Sequence, residues 1–215
     1  YLDHLPFGLR SAKAQSIFKV QAVIIDSFRQ FLTSEGFVEF QPPKLIGEDA
    51  EGGANSFNLE YFGHTAHLAQ SPQLYKQIMV GVFERVFTTP KVFRGEKHAT
   101  TRHLSEYSSL DFEMGFIKDH TDVMAVLEKT MRLIVEKSGI NVAIPAKFPV
   151  LKLREAQKML GISTDEPDLE PEQVRALCEL MLREHGSDFV FVTHYPMSKR
   201  PFYTYEDEDR PGLRV

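Results

Sequence analysis

The chain has 215 residues, of which 42% are hydrophobic and 26% charged, and its formal net charge is −5. This composition is typical of a soluble globular protein, and the length is enough for one sizeable core or two small ones. The acidic balance excludes a globally basic nucleic-acid surface, although a local basic patch remains open. No apolar run is long enough to cross a membrane, and the single Cys178 excludes an internal disulfide.

The first part of the chain predicts a long helix followed by short strands. Apolar residues at three- and four-residue spacings predict a helix from Ser11 to Thr33. FVEFQPP predicts a short strand that the two prolines end, and the glycine-rich LIGEDAEGGANSF predicts a loop. FNLEYFGHTAHLAQ predicts a hairpin around Gly63. Ser71 and Pro72 then predict the start of a helix that runs through LYKQIMVGVF.

The rest of the chain alternates strands and helices. RVFTTPKVFRGE predicts a strand, and TRHLSEYSSLDFEMGFI predicts the strand that returns beside it. Amphipathic spacing predicts a helix from Asp122 to Gly139, and two more helices in LKLREAQKMLGI and EPEQVRALCELMLREHG, the last beginning near Pro171. DFVFVTHYP predicts a buried strand ended by Pro196. This order predicts an α+β fold, an antiparallel sheet flanked by helices.

The segment from Phe93 to Met114 carries both signs of charge within the two predicted long strands. Two-residue alternation places Arg94 and Glu96 on one face of the first strand. It also gives the second strand a polar face, formed by Ser105, Tyr107, Ser109, Asp111 and Glu113. Arginine offers a forked donor for phosphate or carboxylate, and carboxylates accept from ammonium groups. Such a surface fits a zwitterion together with a polyanion, while the plainer alternative is a surface hairpin with cross-strand ion pairs.

Several ordered motifs resemble one enzyme family. FRGE followed by RHLSEYSSLDFEM resembles motif 2 of class II aminoacyl-tRNA synthetases, above all aspartyl enzymes of the archaeal and eukaryotic type. GFVEFQPPKL resembles motif 1, EGGANSF the loop that closes over the amino acid, and YFGHTAHLAQSPQLYKQ the segment that recognises aspartate. FVTHYPMSKRPFYTYEDED resembles the region before the final catalytic strands. Ordered motifs of this length are far more specific than any one of them.

The resemblance implies an ATP site in motif 2. Arg94 is expected to bind the α-phosphate of ATP and the amino-acid carboxylate, and is the expected catalytic residue. Glu96 is expected to hold the adenine amino group or the tRNA acceptor end, and Tyr107 to stack on adenine. His103 is expected beside the γ-phosphate, with Arg102 close by. Magnesium is expected with ATP, although no protein ligand for a metal is identified.

The resemblance also implies an aspartate site. Lys76 is expected to pair with the side-chain carboxylate of aspartate, and Gln73, one helical turn earlier, is expected to face the same pocket. Asp111 is expected to accept from the substrate ammonium. The segment beginning Glu51, Gly52 and Gly53 is expected to close as a lid. Taken alone, a helix lysine such as Lys76 is more often exposed to solvent.

The resemblance predicts one partial catalytic domain over residues 1–215. The sequence ends at RPGLRV, before the acidic magnesium ligands and glycine-rich motif 3 of the family, and it lacks the N-terminal anticodon-binding domain. The expected function is aspartate–tRNA ligase, which forms aspartyl-adenylate from aspartate and ATP and transfers it to tRNA(Asp), with tRNA(Asn) left open. A cytoplasmic homodimer joined through Gly36–Pro43 is expected, without membrane association.

Two alternatives remain open at this stage. The first is an asparaginyl-tRNA synthetase, or an asparagine synthetase of the same fold. Lys76 in SPQLYKQ favours aspartate, because a second carboxylate is costly to bury unpaired and asparaginyl enzymes typically lack that lysine. The second is a synthetase-like paralogue that binds or regulates without catalysis. The missing motif 3 supports it, but the intact motif 2 and aspartate-recognising segment favour a trimmed or partly ordered piece of a longer enzyme.

Overall fold

The protein is described here as a computed structural model that covers residues 4–47, 56–95, 104–200, 203–207 and 211–214. The chain divides into two compact units, Tyr1–Lys118 and Asp119–Val215. Helices and strands are mixed in both units, which confirms the α+β prediction. Within the described ranges, no helix combines the length and the apolar character needed to cross a membrane.

The first unit opens with helices α1 (Leu5–Gly8) and α2 (Ala12–Ser34), and α2 confirms the predicted long helix. The Ser11 hydroxyl caps α2 by accepting from the Ala14 N–H, and the chain turns away at Gly36, whose φ is +82°. Phe28 and Leu32 form the buried face of the helix. Phe28 meets Phe87 edge to face, with the ring centroids 5.8 Å apart, so α2 packs against the strand that carries Phe87.

Three strands form the central sheet of this unit, in the order β1 (Val38–Glu39), β5 (Arg85–Thr88) and β8 (Asp111–Met114). β1 runs parallel to β5, and β5 runs antiparallel to β8. In the register of the second pair, Thr88 lies opposite Asp111, and the fully buried Val86 lies opposite Glu113. The apolar face of β5 therefore fixes where the acidic residues of β8 project.

A second sheet in this unit has the order β2 (Leu45–Ile46), β4 (His64–Leu68) and β3 (Asn58–Tyr61), and all its pairs are antiparallel. The β3–β4 hairpin confirms the prediction, and its turn at Phe62 and Gly63 has positive φ at both residues. The predicted loop was partly wrong, because Leu45–Ile46 pairs with β4. Helix α3 (Gln73–Phe83) follows, and the Ser71 hydroxyl accepts from the Gln73 N–H at 3.0 Å, as expected of a helix start.

The two predicted long strands are each divided in two. β5 gives way at Pro90 to β6 (Lys91–Phe93), and β7 (Glu106–Ser108) is separated from β8 by Ser109 and Leu110. β6 and β7 pair antiparallel, and the Ser109 N–H donates to the Pro90 carbonyl where the strands break. A proline has no N–H to donate to a ladder, which explains the interruption.

The second unit contains helices α4 (His120–Ser138), α5 (Leu153–Met159) and α6 (Pro171–His185), strands β9 (Val150–Lys152), β10 (Phe191–Thr193), β11 (Tyr195–Pro196) and β12 (Leu213–Arg214), and a 3₁₀ turn at Met197–Lys199. α4 and α6 confirm their predictions, and each ends at a left-handed glycine. Ala156, Leu177 and Met181 form a buried cluster between α5 and α6.

Two predictions for this unit were wrong in detail. The segment LKLREAQKMLGI begins as strand β9, and only its middle part is helical. β9 pairs with β10 in parallel, so the strand pairs of the fold are not all antiparallel. The predicted buried strand before Pro196 breaks at His194, whose φ is +60°, and its residues are only partly buried.

Candidate active site

A buried lysine marks the candidate site of the first unit. Lys76 lies on the face of α3 that packs against the central sheet, and only 7% of it is exposed. Its Nζ lies 3.2 Å from Asp111 Oδ1 and 3.4 Å from Glu113 Oε2. Both acids come from β8, two positions apart, so they project from the same face of the strand. Lys76 is therefore not the solvated helix lysine that its local sequence favours.

The charges of the Lys76 cluster, meaning Lys76, Asp111 and Glu113, do not balance. One positive and two negative side chains leave a formal charge of −1. Asp111 Oδ2 is buried and has no hydrogen-bond partner among the described residues. A buried acceptor without a partner costs free energy comparable to a lost hydrogen bond. The cluster therefore offers one buried carboxylate oxygen for a cationic donor, next to an ammonium that has three N–H groups.

The second part of the candidate site is a cation beside an aromatic ring. Arg94 follows β6, and its guanidinium carbon lies 5.9 Å from the ring centroid of Tyr107 on β7. The Arg94 N–H donates to the Ser105 carbonyl at 2.9 Å, which extends the β6–β7 pairing by one step. Both residues are partly buried. The structure thus brings together two of the residues that the sequence predicts for ATP.

Backbone hydrogen bonds connect these elements within the first unit. The Phe93 N–H donates to the Ala69 carbonyl, and the Ala69 N–H donates to the Lys44 carbonyl. Ala69 and Gln70, both buried, lead directly into α3. Burial lowers the pKa of Lys44, whose Nζ donates to the Pro42 carbonyl at 2.9 Å. Neither Gln70 nor Lys44 was predicted as a site residue, and their burial depends on pairing between distant segments.

The structure shows the positions of some, but not all, of the other predicted residues. Gln73 lies one turn before Lys76 on α3, is partly buried, and has not been placed in the Lys76 cluster by any described contact. Glu113 contacts Lys76 although the sequence analysis gave it no role beyond sharing a face with Asp111. Six predicted site residues lie outside the described part of the chain: Glu51, Gly52, Gly53, Glu96, Arg102 and His103.

Metal ligation finds no support in the described part of the structure. No group of three or more His, Cys, Asp or Glu side chains comes together there in an arrangement that could hold a metal ion. The two acids of β8 are both in contact with Lys76. The chemistry of this donor set suits an ammonium group better than a divalent cation.

Comparison with protein families and known proteins gives a consistent result. The family model described as class II tRNA synthetases (D, K and N) matches residues 2–214. An aspartate–tRNA(Asp/Asn) ligase of Deinococcus radiodurans is 45% identical over 98% of this chain and 52% of its own length. Cytoplasmic aspartate–tRNA ligase of Homo sapiens is 39% identical over 98% of this chain and 46% of its own. The chain spans about half the length of the curated relatives it matches.

Solved structures show the same similarity. Asparaginyl-tRNA synthetase from Pyrococcus horikoshii, complexed with asparaginyl-adenylate, superposes with a TM-score of 0.87 and 30% identity, over 100% of this chain and 52% of its own. Aspartyl-tRNA synthetase from Entamoeba histolytica superposes with a TM-score of 0.80 and 32% identity, over 99% of this chain and 44% of its own.

Proposed function

Because the chain belongs to the class II tRNA synthetases for aspartate, lysine and asparagine, we propose that it carries the amino-acid-activating part of an aspartate–tRNA ligase. The observation that carries this proposal is the burial of Lys76 beside Asp111 Oδ2, which has no hydrogen-bond partner within the described ranges. A cation held in a protected site is suited to a substrate with a second carboxylate, which is costly to bury unpaired.

Aspartate fits the Lys76 cluster through two contacts. Lys76 has three N–H groups, so it can donate to the substrate side-chain carboxylate while it stays beside Asp111 and Glu113. Asp111 Oδ2 can accept from the substrate ammonium while Oδ1 stays with Lys76. In this arrangement the substrate supplies the positive charge that the cluster lacks. Gln73 would line the same pocket.

Arg94 and Tyr107 supply the features that ATP requires. The Tyr107 ring offers a surface for adenine, and the Arg94 guanidinium offers two parallel donors for the α-phosphate and the α-carboxylate. An oxygen of the α-carboxylate attacks the α-phosphorus, a new O–P bond forms, and the bond to pyrophosphate breaks. Arg94 stabilises the negative charge that builds up on the phosphoryl oxygens. A hydroxyl of the terminal ribose of tRNA then attacks the acyl carbon of the adenylate, an ester bond forms, and the bond to AMP breaks.

The remaining predicted residues keep their proposed roles. Glu96 would hold the adenine amino group or the tRNA acceptor end. His103 would lie beside the γ-phosphate with Arg102 close by, and Glu51, Gly52 and Gly53 would form the lid. Magnesium, when bound with ATP, neutralises phosphate charge. We assign no residue of the described part to that ion.

Partners follow from the family and its named members. Proposed partners are L-aspartate, tRNA(Asp), and tRNA(Asn) as in the ligases named for both tRNAs. A cytoplasmic setting is proposed from the human and bovine relatives named cytoplasmic. Residues 1–215 would belong to one catalytic domain, and Gly36–Pro43, which includes β1 at one edge of the central sheet, would join two copies as a homodimer.

Asparagine is the competing substrate, because an asparaginyl enzyme superposes with a TM-score of 0.87. The neutral amide of asparagine gains less from Lys76 than a carboxylate does, which favours aspartate. A binding or regulatory protein without catalysis is the second alternative. It differs from both enzymes by failing to exchange pyrophosphate into ATP.

The test is amino-acid-dependent exchange of pyrophosphate into ATP, measured on this chain and on the full product of its gene. Exchange with aspartate and not with asparagine is the expected result. Exchange with asparagine alone would reverse the proposed role of Lys76. No pyrophosphate exchange by either protein with any amino acid would support the non-catalytic alternative.

Replacement of Arg94 tests the proposed chemistry in the same assay. Arg94→Ala should lower the rate of aspartyl-adenylate formation by at least 1,000-fold, roughly the upper end of the loss when one preorganised electrostatic donor is removed. A rate that survives the substitution would show that Arg94 does not stabilise the transition state. Lys91→Ala on β6 is the matched control, because Lys91 is an exposed cation three positions before Arg94, and its ion pair with Glu106, at 3.9 Å, is also exposed.

A further inference from the structure

Glu113 contacts the proposed recognition lysine but has no part in the recognition of aspartate described above. Its Oε2 lies 3.4 Å from Lys76 Nζ, and 31% of its side chain is exposed. Its backbone position is fixed, because it lies opposite the fully buried Val86 in the β5–β8 pair. Glu113 is therefore a charged residue held beside Lys76 by the core of the sheet.

The charges around Lys76 balance differently with each substrate. The ammonium of either amino acid can offset the charge of Asp111, since both amino acids carry it. The side-chain carboxylate of aspartate would then share Lys76 with Glu113, so two negative groups would lie around one cation. Like charges this close raise the free energy of binding, and partial burial weakens solvent screening. The amide of asparagine has no net charge and is spared this repulsion.

We propose that Glu113 is a specificity-determining residue that limits the preference for aspartate over asparagine by sharing Lys76 with the substrate side chain. The inference rests on the proposed function, because it assumes that the amino acid enters the Lys76 cluster. It gives Glu113 an effect opposite to that of Lys76. Loss of Lys76 should weaken the preference for aspartate, and loss of the Glu113 charge should strengthen it.

A purely structural role for Glu113 makes the contrary prediction. If Glu113 only anchored Lys76, its removal would let the ammonium move, and aspartate would lose affinity relative to asparagine. Glutamine has nearly the same shape as glutamate, and its side-chain oxygen can still accept from an ammonium. Glu113→Gln therefore removes the charge while it retains most of the anchoring, and the sign of the change separates the two roles.

The experiment measures the KM for aspartate and the inhibition constant for asparagine in pyrophosphate exchange by the full gene product. In Glu113→Gln, the ratio of the asparagine constant to the aspartate constant should rise about tenfold, mainly through a lower KM for aspartate. The kcat should change far less than KM, because Glu113 acts on binding and not on the α-phosphorus. Thermal unfolding of each variant checks that it is folded.

Two further variants control for charge and for position. Glu113→Asp retains the charge and should keep the wild-type ratio to within about threefold, since the repulsion remains. Glu106→Gln removes the same charge from strand β7, where Glu106 is exposed and lies 3.9 Å from Lys91. It should leave the ratio unchanged. If Glu113→Gln does not fold, Glu113→Ser removes the charge with a smaller side chain and carries the same expectation.

The outcomes separate the inference from the proposed function. A higher ratio in Glu113→Gln, with Glu113→Asp and Glu106→Gln close to wild type, would support the inference. An unchanged or lower ratio would overturn it while aspartate activation by the wild type still supports the proposed function. A wild-type protein that activates neither amino acid would overturn both.

Discussion

Two cations of this protein, Lys76 in the first unit and Arg132 in the second, are held by carboxylates in different ways. Lys76 is the more deeply buried, with 9% of its side chain exposed against 31% for Arg132. Yet Lys76 faces two acids, one of which has a buried oxygen without a partner in the described structure. Burial alone therefore does not tell which cluster is complete.

The Arg132 contacts are well matched. Arg132 Nη2 lies 2.6 Å from Glu128 Oε1 and donates to the carbonyls of Pro145 and Ala146, at 2.7 and 2.9 Å. Glu128 Oε1 also accepts from the Phe148 N–H, and the guanidinium lies 5.0 Å from the Phe148 ring centroid. One cation and one anion thus join α4 to the segment that leads into β9.

The difference between these clusters distinguishes a structural ion pair from a candidate binding site. The Arg132 contacts balance in charge and satisfy backbone groups within the unit, so an added ligand has little to gain there. The Lys76 cluster carries a surplus negative charge and a buried acceptor, so a ligand with an ammonium group would complete it. Substitutions in the two clusters should therefore affect different measurements.

Of the substitutions in these two clusters, the largest effect is expected at Lys76. Lys76→Met should weaken aspartate binding at least 100-fold, because the substrate side-chain carboxylate loses its cation beside two acids, whereas ATP affinity should change less than about threefold. Calorimetric titration of each ligand into the full gene product measures both constants. Lys91→Met on β6, an exposed lysine with one carboxylate at 3.9 Å, is the control and should leave both constants unchanged.

Equal losses for aspartate and ATP would contradict the proposed role of Lys76. They would show that its removal deforms the site as a whole, as a structural ion pair would. The two clusters would then not differ in function, and the role of Lys76, like that of Arg132, would be to stabilise the fold.

A smaller effect, on a different measurement, is expected at Arg132. Arg132→Met should lower the free energy of unfolding by about 2 kcal/mol, because Glu128 and the Pro145 and Ala146 carbonyls lose their donor. Aspartate and ATP affinities should be unchanged. Urea denaturation of the chain measures the loss.

The control for Arg132 is an arginine of the same unit whose ion pair is exposed. Arg175 on α6 lies 3.9 Å from Glu172, with 59% of its side chain exposed, so Arg175→Met should leave stability almost unchanged. An equal loss of unfolding free energy in both variants would mean that an exposed helix arginine contributes as much to stability as Arg132. The specific contacts of Arg132 would then not explain its effect.

Local sequence patterns predicted the elements that depend on local interactions. Apolar spacing predicted α2, and Gly63 between alternating strands predicted the β3–β4 hairpin. The same spacing misled at Leu151 and Lys152, which were predicted to begin a helix but belong to β9, paired with the distant β10. The strand predicted to run through Pro90 was also wrong, and the division of both strands is accompanied by the Ser109–Pro90 hydrogen bond across the pair.

Part of the candidate site could be predicted from the sequence, but its charge balance could not. Motif resemblance identified Lys76, Asp111, Arg94 and Tyr107, and the structure brings them into two pairs. The same motifs gave no reason to expect the contact between Glu113 and Lys76. Lys76 and Asp111 are 35 positions apart, so their meeting depends on how α3 packs against β8. Tertiary packing of this kind decides which charges are offset and which are left for a ligand.

The sharpest test of the comparison is at Asp111, where only a small effect on stability is expected. Asp111→Asn leaves Lys76 paired with Glu113, and the asparagine oxygen can still accept from the ammonium. It also removes the surplus negative charge of the cluster, so the free energy of unfolding should stay within about 1 kcal/mol of the wild type. Aspartate binding should nevertheless weaken about tenfold, because the substrate ammonium would lose its charged acceptor. Urea denaturation and calorimetric titration of the same protein give both values.

A large loss of stability with unchanged affinity for aspartate would contradict this prediction. It would mean that Asp111 forms a structural ion pair with Lys76, as Glu128 does with Arg132. A carboxylate whose hydrogen-bonding capacity is taken up by its own cation has no oxygen left to accept from a substrate.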